Sequence, residues 1–363
     1  MFVIDFKPRE CLRMATIKDV AREAGVSAAT VSRTLAGYPH VSPDTRERVL
    51  KAVERLGYRP DQVARSLRRR RSNLIGLVVS TIENVFFTEV ARAAEQAAHR
   101  HGYNLIVCNT EEDPQQEETY LGVLDRQLVA GVILAPAPGE ALHLAPYLEQ
   151  GLPIVLINRR LEGMPCTSIT SDDDQAAYEL VRWLASQGKR RIAAVIGLPG
   201  VFTTRERLRG YRRALADLGI PHDPALEVSG MARLEGGYRA ARDLLQRDDP
   251  PDAFCAFNNL MTQGVVMALQ DLGITWPDPV DVAGFGAFGA ARLYRPPLTL
   301  VEQPTHEMGE RAVEALLVQV EGRADCPHEA IVLRNRIITR EEWLLRRQGP
   351  PSSDRSAGVS SLT

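Results

Sequence analysis

Ile17, Val20, Ala21 and Ala24 recur at helical spacing behind Thr16, and Thr16 with Asp19 forms a Thr-x-x-Asp cap of the capping-box type. This pattern predicts a short amphipathic helix, closed by Gly25. Ser27 then caps a second helix whose apolar face is Val31 and Leu35, with Ala28, Ala29, Ser32 and Arg33 expected outward. Ser42, followed by Pro43 and Asp44, starts a third helix with Val49, Leu50, Val53 and Leu56 as its buried stripe and Gly57 as its stop. Two short helices around a Gly-containing turn are a helix-turn-helix unit, and the third gives it a core. Tyr58 to Asp61 then breaks the chain. The segment 62–71 has helical propensity but few apolar residues, so it is expected to fold only on a partner.

From Leu74 the pattern changes to continuous apolar strands alternating with helices. Strands are expected at Leu74 to Val79, Leu105 to Cys108, Gly131 to Leu134 and Ile154 to Ile157, the first followed by a helix through Val90 to His101. A second series follows near Arg191 to Ile196, Ala253 to Ala256 and Val280 to Ala283. Such alternation indicates parallel sheets covered on both faces, and two series imply two lobes. Ligands of open sheets bind beyond the carboxyl ends of the strands, so facing lobes make a cleft. The tail from Arg346, rich in Pro, Ser, Gly and Arg, reads as disordered.

Charge separates the two parts. Residues 15–71 hold thirteen Lys and Arg against six Asp and Glu, a net of +7, and the first fourteen residues are +1. The whole chain is −2, so everything from Ser72 onward carries −10. A basic head on an acidic body points to a nucleic-acid contact at one end. At 363 residues with 44% hydrophobic positions the chain supports more than one core, and no apolar run is long enough to span a bilayer. Met1 to Met14 lack the apolar stretch of a secretory signal, and Met14, just before the first cap, is a candidate translation start. Five scattered cysteines (Cys11, Cys108, Cys166, Cys255, Cys326) read as reduced thiols of a cytoplasmic protein, neither a disulfide framework nor a metal site.

The motifs Ala15-Thr-Ile-Lys-Asp-Val-Ala, Gly25-Val-Ser, Thr30-Val-Ser-Arg33, Val41-Ser-x-x-Thr45-Arg, Leu56-Gly-Tyr-x-Pro60 and Ala64-Arg-Ser-Leu67 together resemble the lac repressor (LacI/GalR) family. The likeness continues through Ile75-Gly-Leu-Val, Asn84-x-Phe-Phe87, Arg207-x-x-Gly210-Tyr, Arg295-Pro-Pro-Leu-Thr299 and Gln303-Pro, and so covers the chain from Ala15 to about Arg340. The resemblance implies an all-α helix-turn-helix head (15–60), a hinge helix and linker (61–73) and an α/β two-lobed, periplasmic-binding-protein-like core (74–345). Residues 1–14 and 346–363 fall outside it. The first lobe is expected to comprise about 74–171 and 303–326, the second about 172–302 and 327–345. By the same resemblance the protein is a homodimeric repressor that reads a near-palindromic double-stranded DNA operator under the control of a small-molecule effector, a sugar or other metabolite. No cofactor and no membrane is implied.

Thr16, Ser27, Ala28, Ala29, Thr30, Ser32 and Arg33 fall on the implied DNA-binding surface. Arg33 can bond both acceptors of a guanine edge, while Ala28 and Ala29 can only touch a thymine methyl or leave room. In the hinge, Leu67 matches the wedge inserted into the minor groove, Ala64 permits close approach, and Arg65 adds a phosphate-seeking charge. Where the family usually has Asn after the hinge Pro, this chain has Asp61, which repels phosphate.

Asn84, Phe86, Phe87, Asn158, Arg205, Asn258 and Gln303 are the candidate effector-binding residues, with one of the two adjacent aromatics expected to stack on a ligand and the other to join the core. Two departures weigh against a plain sugar. Relatives usually have Asn-Asp at Asn258-Asn259 and Gly-Phe-Asp at Gly284-Phe-Gly286; a carboxylate that grips two adjacent hydroxyls is the usual hold on a sugar, Gly286 cannot supply it, and an anionic effector, an aromatic one or none at all is open.

Other chemistries fare less well. Gly284-Phe-Gly-Ala-Phe-Gly289 fits the dinucleotide pattern, but Pro296 and Pro297 come too soon for the helix that motif must open. Asp172 to Asp174 are explained by the dipole of the helix they precede, and no nucleophile with a base and an orienting acid emerges, so the chain does not read as an enzyme. A solute-binding protein of a transport system remains the alternative for residues 74–340.

Overall fold

The computed structural model describes residues 15–35, 38–58, 72–139, 141–287, 289–322 and 328–347, and the side chains of all of these except 290, 292, 346 and 347. The chain divides into two compact units between Ser72 and Asn73. Ala64, Arg65, Leu67 and both termini lie outside the described residues.

In the smaller unit, helices α1 (Ile17–Ala24), α2 (Ala28–Leu35) and α3 (Pro43–Leu56) enclose a core of Val20, Ala24, Val31, Val49 and Ala52. The expected caps form. Thr16 Oγ1 accepts from the Asp19 N–H, Asp19 Oδ2 accepts from the Thr16 N–H at 2.9 Å, and Gly25 takes the left-handed conformation that ends α1. Ser27 Oγ accepts from the Thr30 N–H at 3.0 Å and Ser42 Oγ from the Thr45 N–H at 3.3 Å.

The larger unit contains two sheets of six strands. The first is built on β1 (Leu74–Val79), β2 (Asn104–Asn109), β3 (Gly131–Leu134), β4 (Ile154–Ile157), β5 (Thr167–Ser171) and β11 (Ala330–Leu333), in the order β11-β5-β4-β3-β1-β2. All its pairings are parallel. Helices α4 (Val85–Arg100) and α11 (Thr305–Val320) share one of its cores, and α5 (Pro114–Arg126) packs into the other with the segment leading to α6 (Ala145–Glu149).

The second sheet holds β6 (Ile192–Ile196), β7 (Glu227–Ser229), β8 (Ala253–Ala256), β9 (Asp281–Phe285), β10 (Thr299–Glu302) and β12 (Arg336–Ile338), ordered β12-β10-β9-β8-β6-β7. Only β12 runs antiparallel to its neighbour. Helices α7 (Asp173–Ser186), α8 (Phe202–Asp217), α9 (Leu234–Leu245) and α10 (Asn259–Asp271) bury their apolar stripes in its core. Gly210 lets α8 lie against the backbone of α7, since a Cβ there would sit 2.9 Å from the Asp174 carbonyl carbon. A last helix, α12 (Arg340–Arg347), follows β12.

The chain passes between the lobes three times, at Asp172, at Gln303-Pro304 and at Arg334-Asn335. The third crossing corrects the expected boundary. Residues 327–345 were assigned to the second lobe, yet β11 pairs with β5 of the first sheet, Ala330 opposite Ser168. Ile331-Val-Leu333 and Ile337-Ile338 look alike as short apolar runs, and their sheets differ only through pairing partners 160 or more residues upstream for the one and about 40 for the other.

Of the acidic triplet, Asp173 and Asp174 stand in the first turn of α7, where its dipole favours them. Asp172, at the N-cap of α7, makes no side-chain cap and instead accepts from the Asn335 N–H at 2.6 Å, tying the first crossing to the third. Asp173 is buried, and Asp174 pairs with Arg209 and Arg213. No helix among the described residues is long and apolar enough to cross a membrane.

Candidate DNA-reading face and effector cleft

On α2 the outward side chains are Ala29 and Arg33, and the Arg33 guanidinium makes no hydrogen bond or ion pair to a described residue. Ala28, expected outward, packs against the core of the head. It is in phase with Val31 and Leu35 at i+3 and i+7, so its methyl continues their stripe. Ser27 and Thr16 are occupied as helix caps, Thr30 Oγ1 lies 2.9 Å from Ser27 Oγ, and Ser32 is half-buried.

In the core, a narrow cleft with a cavity volume of about 50 Å³ lies between the lobes. Its walls come from the residues just past the carboxyl ends of the strands: Ser80 after β1, Asn158 after β4, Gly197 after β6, Asn258 after β8 and Gln303 after β10. The helix starts that face it add Asn84 from α4 and Thr203 and Thr204 from α8.

The cleft brings together six of the seven predicted effector residues. Asn84 and Asn258 are also helix caps, accepting from the Phe86 N–H at 3.0 Å and the Met261 N–H at 2.7 Å. Asn258 further donates to the Ala232 carbonyl at 2.9 Å. Phe86 and Phe87 meet edge to face with centroids 5.0 Å apart, and both line the cleft and belong to the first lobe's core.

Arg205 is the seventh, and it stands elsewhere. Its side chain is 52% exposed and faces Glu162 of the other lobe at 3.4 Å, outside the central cleft. The arginine in the wall is Arg207. Its guanidinium grips Asp173 through Nε at 3.1 Å and Nη2 at 3.0 Å, donates from Nη1 to the Phe257 carbonyl and lies 4.0 Å from the Phe285 ring centroid. The sequence carried a signal for it: Arg207 is three residues before Gly210 and in phase with the buried Thr203, Thr204 and Ala214, whereas Arg205 is out of phase.

Sequence reasoning also missed Arg159, which donates to both oxygens of Glu112 at 2.6 and 2.7 Å and to the Pro136 carbonyl at 2.7 Å. Both guanidinium groups in the wall are therefore matched by carboxylates, and what the cleft offers a ligand is a neutral set of hydroxyls and amides. Three buried polar atoms there, Ser80 Oγ, Asn158 Oδ1 and Arg159 Nε, have no hydrogen-bond partner. Three lining residues, Glu112, Asn158 and Ala232, hold left-handed backbones (φ 63°, 63° and 57°) that non-glycine residues adopt at a cost.

The glycine-rich run Gly284 to Gly289 leads into a short 3-10 turn, Gly289–Leu293, with no helix for a dinucleotide pyrophosphate. Burial pushes the Cys166 thiol up to about 11 and Cys255 to about 12, so neither is a thiolate nucleophile near neutrality.

Residues 16–61 match the family described as bacterial regulatory proteins, lacI family, and residues 72–344 match the periplasmic binding proteins and sugar binding domain of LacI family. The chain is 34% identical over 327 residues to catabolite control protein A of Priestia megaterium, covering 90% of this chain and 98% of that one. The chain belongs to the LacI family. Another LacI-family relative, the HTH-type transcriptional repressor PurR of Vibrio atlanticus, is 33% identical over 332 residues, 90% of this chain and 99% of that protein.

Among solved structures, the lac repressor dimer bound to operator and the anti-inducer ONPF superposes with a TM-score of 0.79 at 26% identity, covering 90% of this chain and 98% of that one. The transcriptional regulator CelR in complex with cellobiose gives 0.69 at 29%, covering 90% and 99%. As a LacI-family protein the chain is a transcriptional regulator with a helix-turn-helix head and an effector-binding core, not an enzyme, and the solute-binding alternative gives way because the relatives share the head as well as the core.

Proposed function

We infer that this regulator works as a cytoplasmic homodimer that reads a near-palindromic operator through α2 and is controlled by a small polar metabolite held between the lobes of its core. One observation carries the DNA half: the Arg33 guanidinium is exposed and unpaired among described residues on a helix whose other outward residue is an alanine. A lone fork of donors beside a methyl suits a guanine edge next to a thymine. For the effector, support comes from the three buried polar atoms without partners in the cleft wall.

The lac repressor dimer on its operator and the cellobiose complex of CelR bear on this reading as similar proteins. The division at Ser72/Asn73 supports a core that begins about residue 74. Selection of bound fragments from random duplex DNA, with and without a metabolite panel, tests the whole reading. The expected result is a palindromic consensus whose recovery changes with one metabolite class. Binding with no sequence preference at physiological salt under every ligand condition would refute it. In the same assay Arg33→Ala should relax one base pair per half-site by about 1–3 kcal/mol. Leu67→Ala should weaken specific binding far more than non-specific binding.

A further inference from the structure

A second compartment opens beside the effector cleft and shares Arg159 and Val201 with it. It has a cavity volume of about 610 Å³ and is walled by Pro136 to Gly139, the loop from Arg159 to Met164, and the start of α8 with Arg205. Its charged lining is Arg159, Arg160 and Arg205 with Glu162, and since Arg159 is paired with Glu112 and Arg205 with Glu162, Arg160 is left without a carboxylate partner among the described residues. Arg160 is held over the Phe202 ring at 5.4 Å, and Arg205 has only the exposed carboxylate of Glu162 at 3.4 Å. At the neck between the compartments Arg159 is 7% exposed, and its buried Nε is without a partner while its other two nitrogens are engaged. The inner cleft is internally neutralised, since Glu112 answers Arg159 and Asp173 answers Arg207. Arg205, predicted as an effector residue, lies in this outer compartment.

We propose that the outer compartment is an anion subsite, so that the effector has a neutral polar portion between the lobes and a phosphate or carboxylate group among Arg159, Arg160 and Arg205. The proposal rests on the reading of the inner cleft as the effector site. An anion there answers Arg160, the one guanidinium of the three without a carboxylate, reaches the unpartnered Nε of Arg159, and replaces the long contact from Arg205 to Glu162 with charge-assisted bonds. Because Arg160 and Arg205 come from opposite lobes, the same group would bridge them and favour the closed arrangement.

The test uses the full chain and two sets of probes. Inorganic phosphate, compared with sodium chloride at matched ionic strength, should raise the thermal unfolding midpoint by about 2 °C or more at concentrations well above its dissociation constant. The Arg160→Ala/Arg205→Ala double variant should lose that rise. No rise in the wild type, or an equal rise in the variant, overturns the proposal. The second set is an aldose, its monophosphate and its aldonate, measured by calorimetry. Binding of the phosphate or carboxylate member at least tenfold tighter than the neutral sugar, abolished in the double variant, supports the proposal and names the anion. Equal or tighter binding of the neutral sugar overturns it. A phosphate response with no sugar binding would count against the effector reading of the inner cleft, whereas neutral-sugar binding without a phosphate response removes the anion subsite alone.

Discussion

Replacing Arg207 by Met should destabilise the second lobe by about 3–5 kcal/mol, the usual cost of removing one member of a buried ion pair. The side chains of Arg207 and Asp173 are 7% and 1% exposed, so water screens neither. In the variant Asp173 would keep only Ser171 Oγ at 3.0 Å and Asn335 Nδ2 at 3.2 Å, neither of them charged. Adding Asp173→Asn removes the orphaned charge and should recover most of the loss, apart from about 1 kcal/mol for the Phe257 carbonyl that Arg207 no longer satisfies. Denaturant unfolding followed by tryptophan fluorescence reads this lobe directly, because Trp183, Trp276 and Trp343 all pack in or against its core. At about 2–4 °C per kcal/mol the single variant should melt roughly 6–20 °C lower. A loss under 1 kcal/mol for Arg207→Met, or a double variant no more stable than that single one, would refute the reasoning.

Other expectations follow from separate contacts. Gly210→Ala should cost about 1–3 kcal/mol or more by forcing α8 off α7, and a variant as stable as wild type in the same denaturant assay would contradict the close approach described. Glu117, fully buried, accepts from the Ala137 N–H at 2.6 Å and from His143 Nε2 at 2.8 Å, and burial pushes its carboxyl above the usual range against the pull of both partners. The folded carboxyl thus holds its proton more tightly than the unfolded one. Wild type should be most favoured relative to Glu117→Gln below about pH 4 and lose ground as pH rises through the raised pKa, and a difference constant from pH 4 to 8 would exclude this. Arg233→Ala breaks the 3.5 Å pair with Glu111 between the lobes and should change thermal stability by under about 1 kcal/mol while shifting effector affinity in a salt-dependent way; a salt-independent shift would rule out the ion pair as its cause.

The parts of the fold that are local were legible in the sequence. The caps at Thr16, Ser27 and Ser42, the stop at Gly25, and strands such as Leu74–Val79 and Ile154–Ile157 depend on spacing and turn chemistry within a few residues. What escaped was long-range. β5, β7, β11 and β12 are short or half-polar, and only their partners give them a sheet. The same limit applies in the cleft. Asn84, Asn158, Asn258 and Gln303 follow strands at positions any sheet of this kind exposes, so strand position found them. Arg159 and Glu112 are 47 residues apart and reveal themselves only when β2 and β4 bring their loops together. Arg205 stands on a face of α8 that looks into the outer compartment and away from the central cleft, and one-dimensional spacing does not say which compartment a face looks into.

The contacts that close the lobes also bear on how an effector could act. Across the mouth they are two exposed ion pairs, Glu111 with Arg233 and Glu162 with Arg205, and the stacking of Arg160 on Phe202. Pairs this exposed are worth about 0.2–1 kcal/mol each, and an exposed cation over an aromatic ring about 0.5–1. Their sum is a few kcal/mol at most. Open and closed forms are then separated by a gap that a ligand with a hundredfold preference for one of them, about 2.7 kcal/mol, can reverse. A regulator needs that proximity to balance: were closure secured by a buried apolar interface, the effector would find the protein already committed, and binding would carry no signal to the operator.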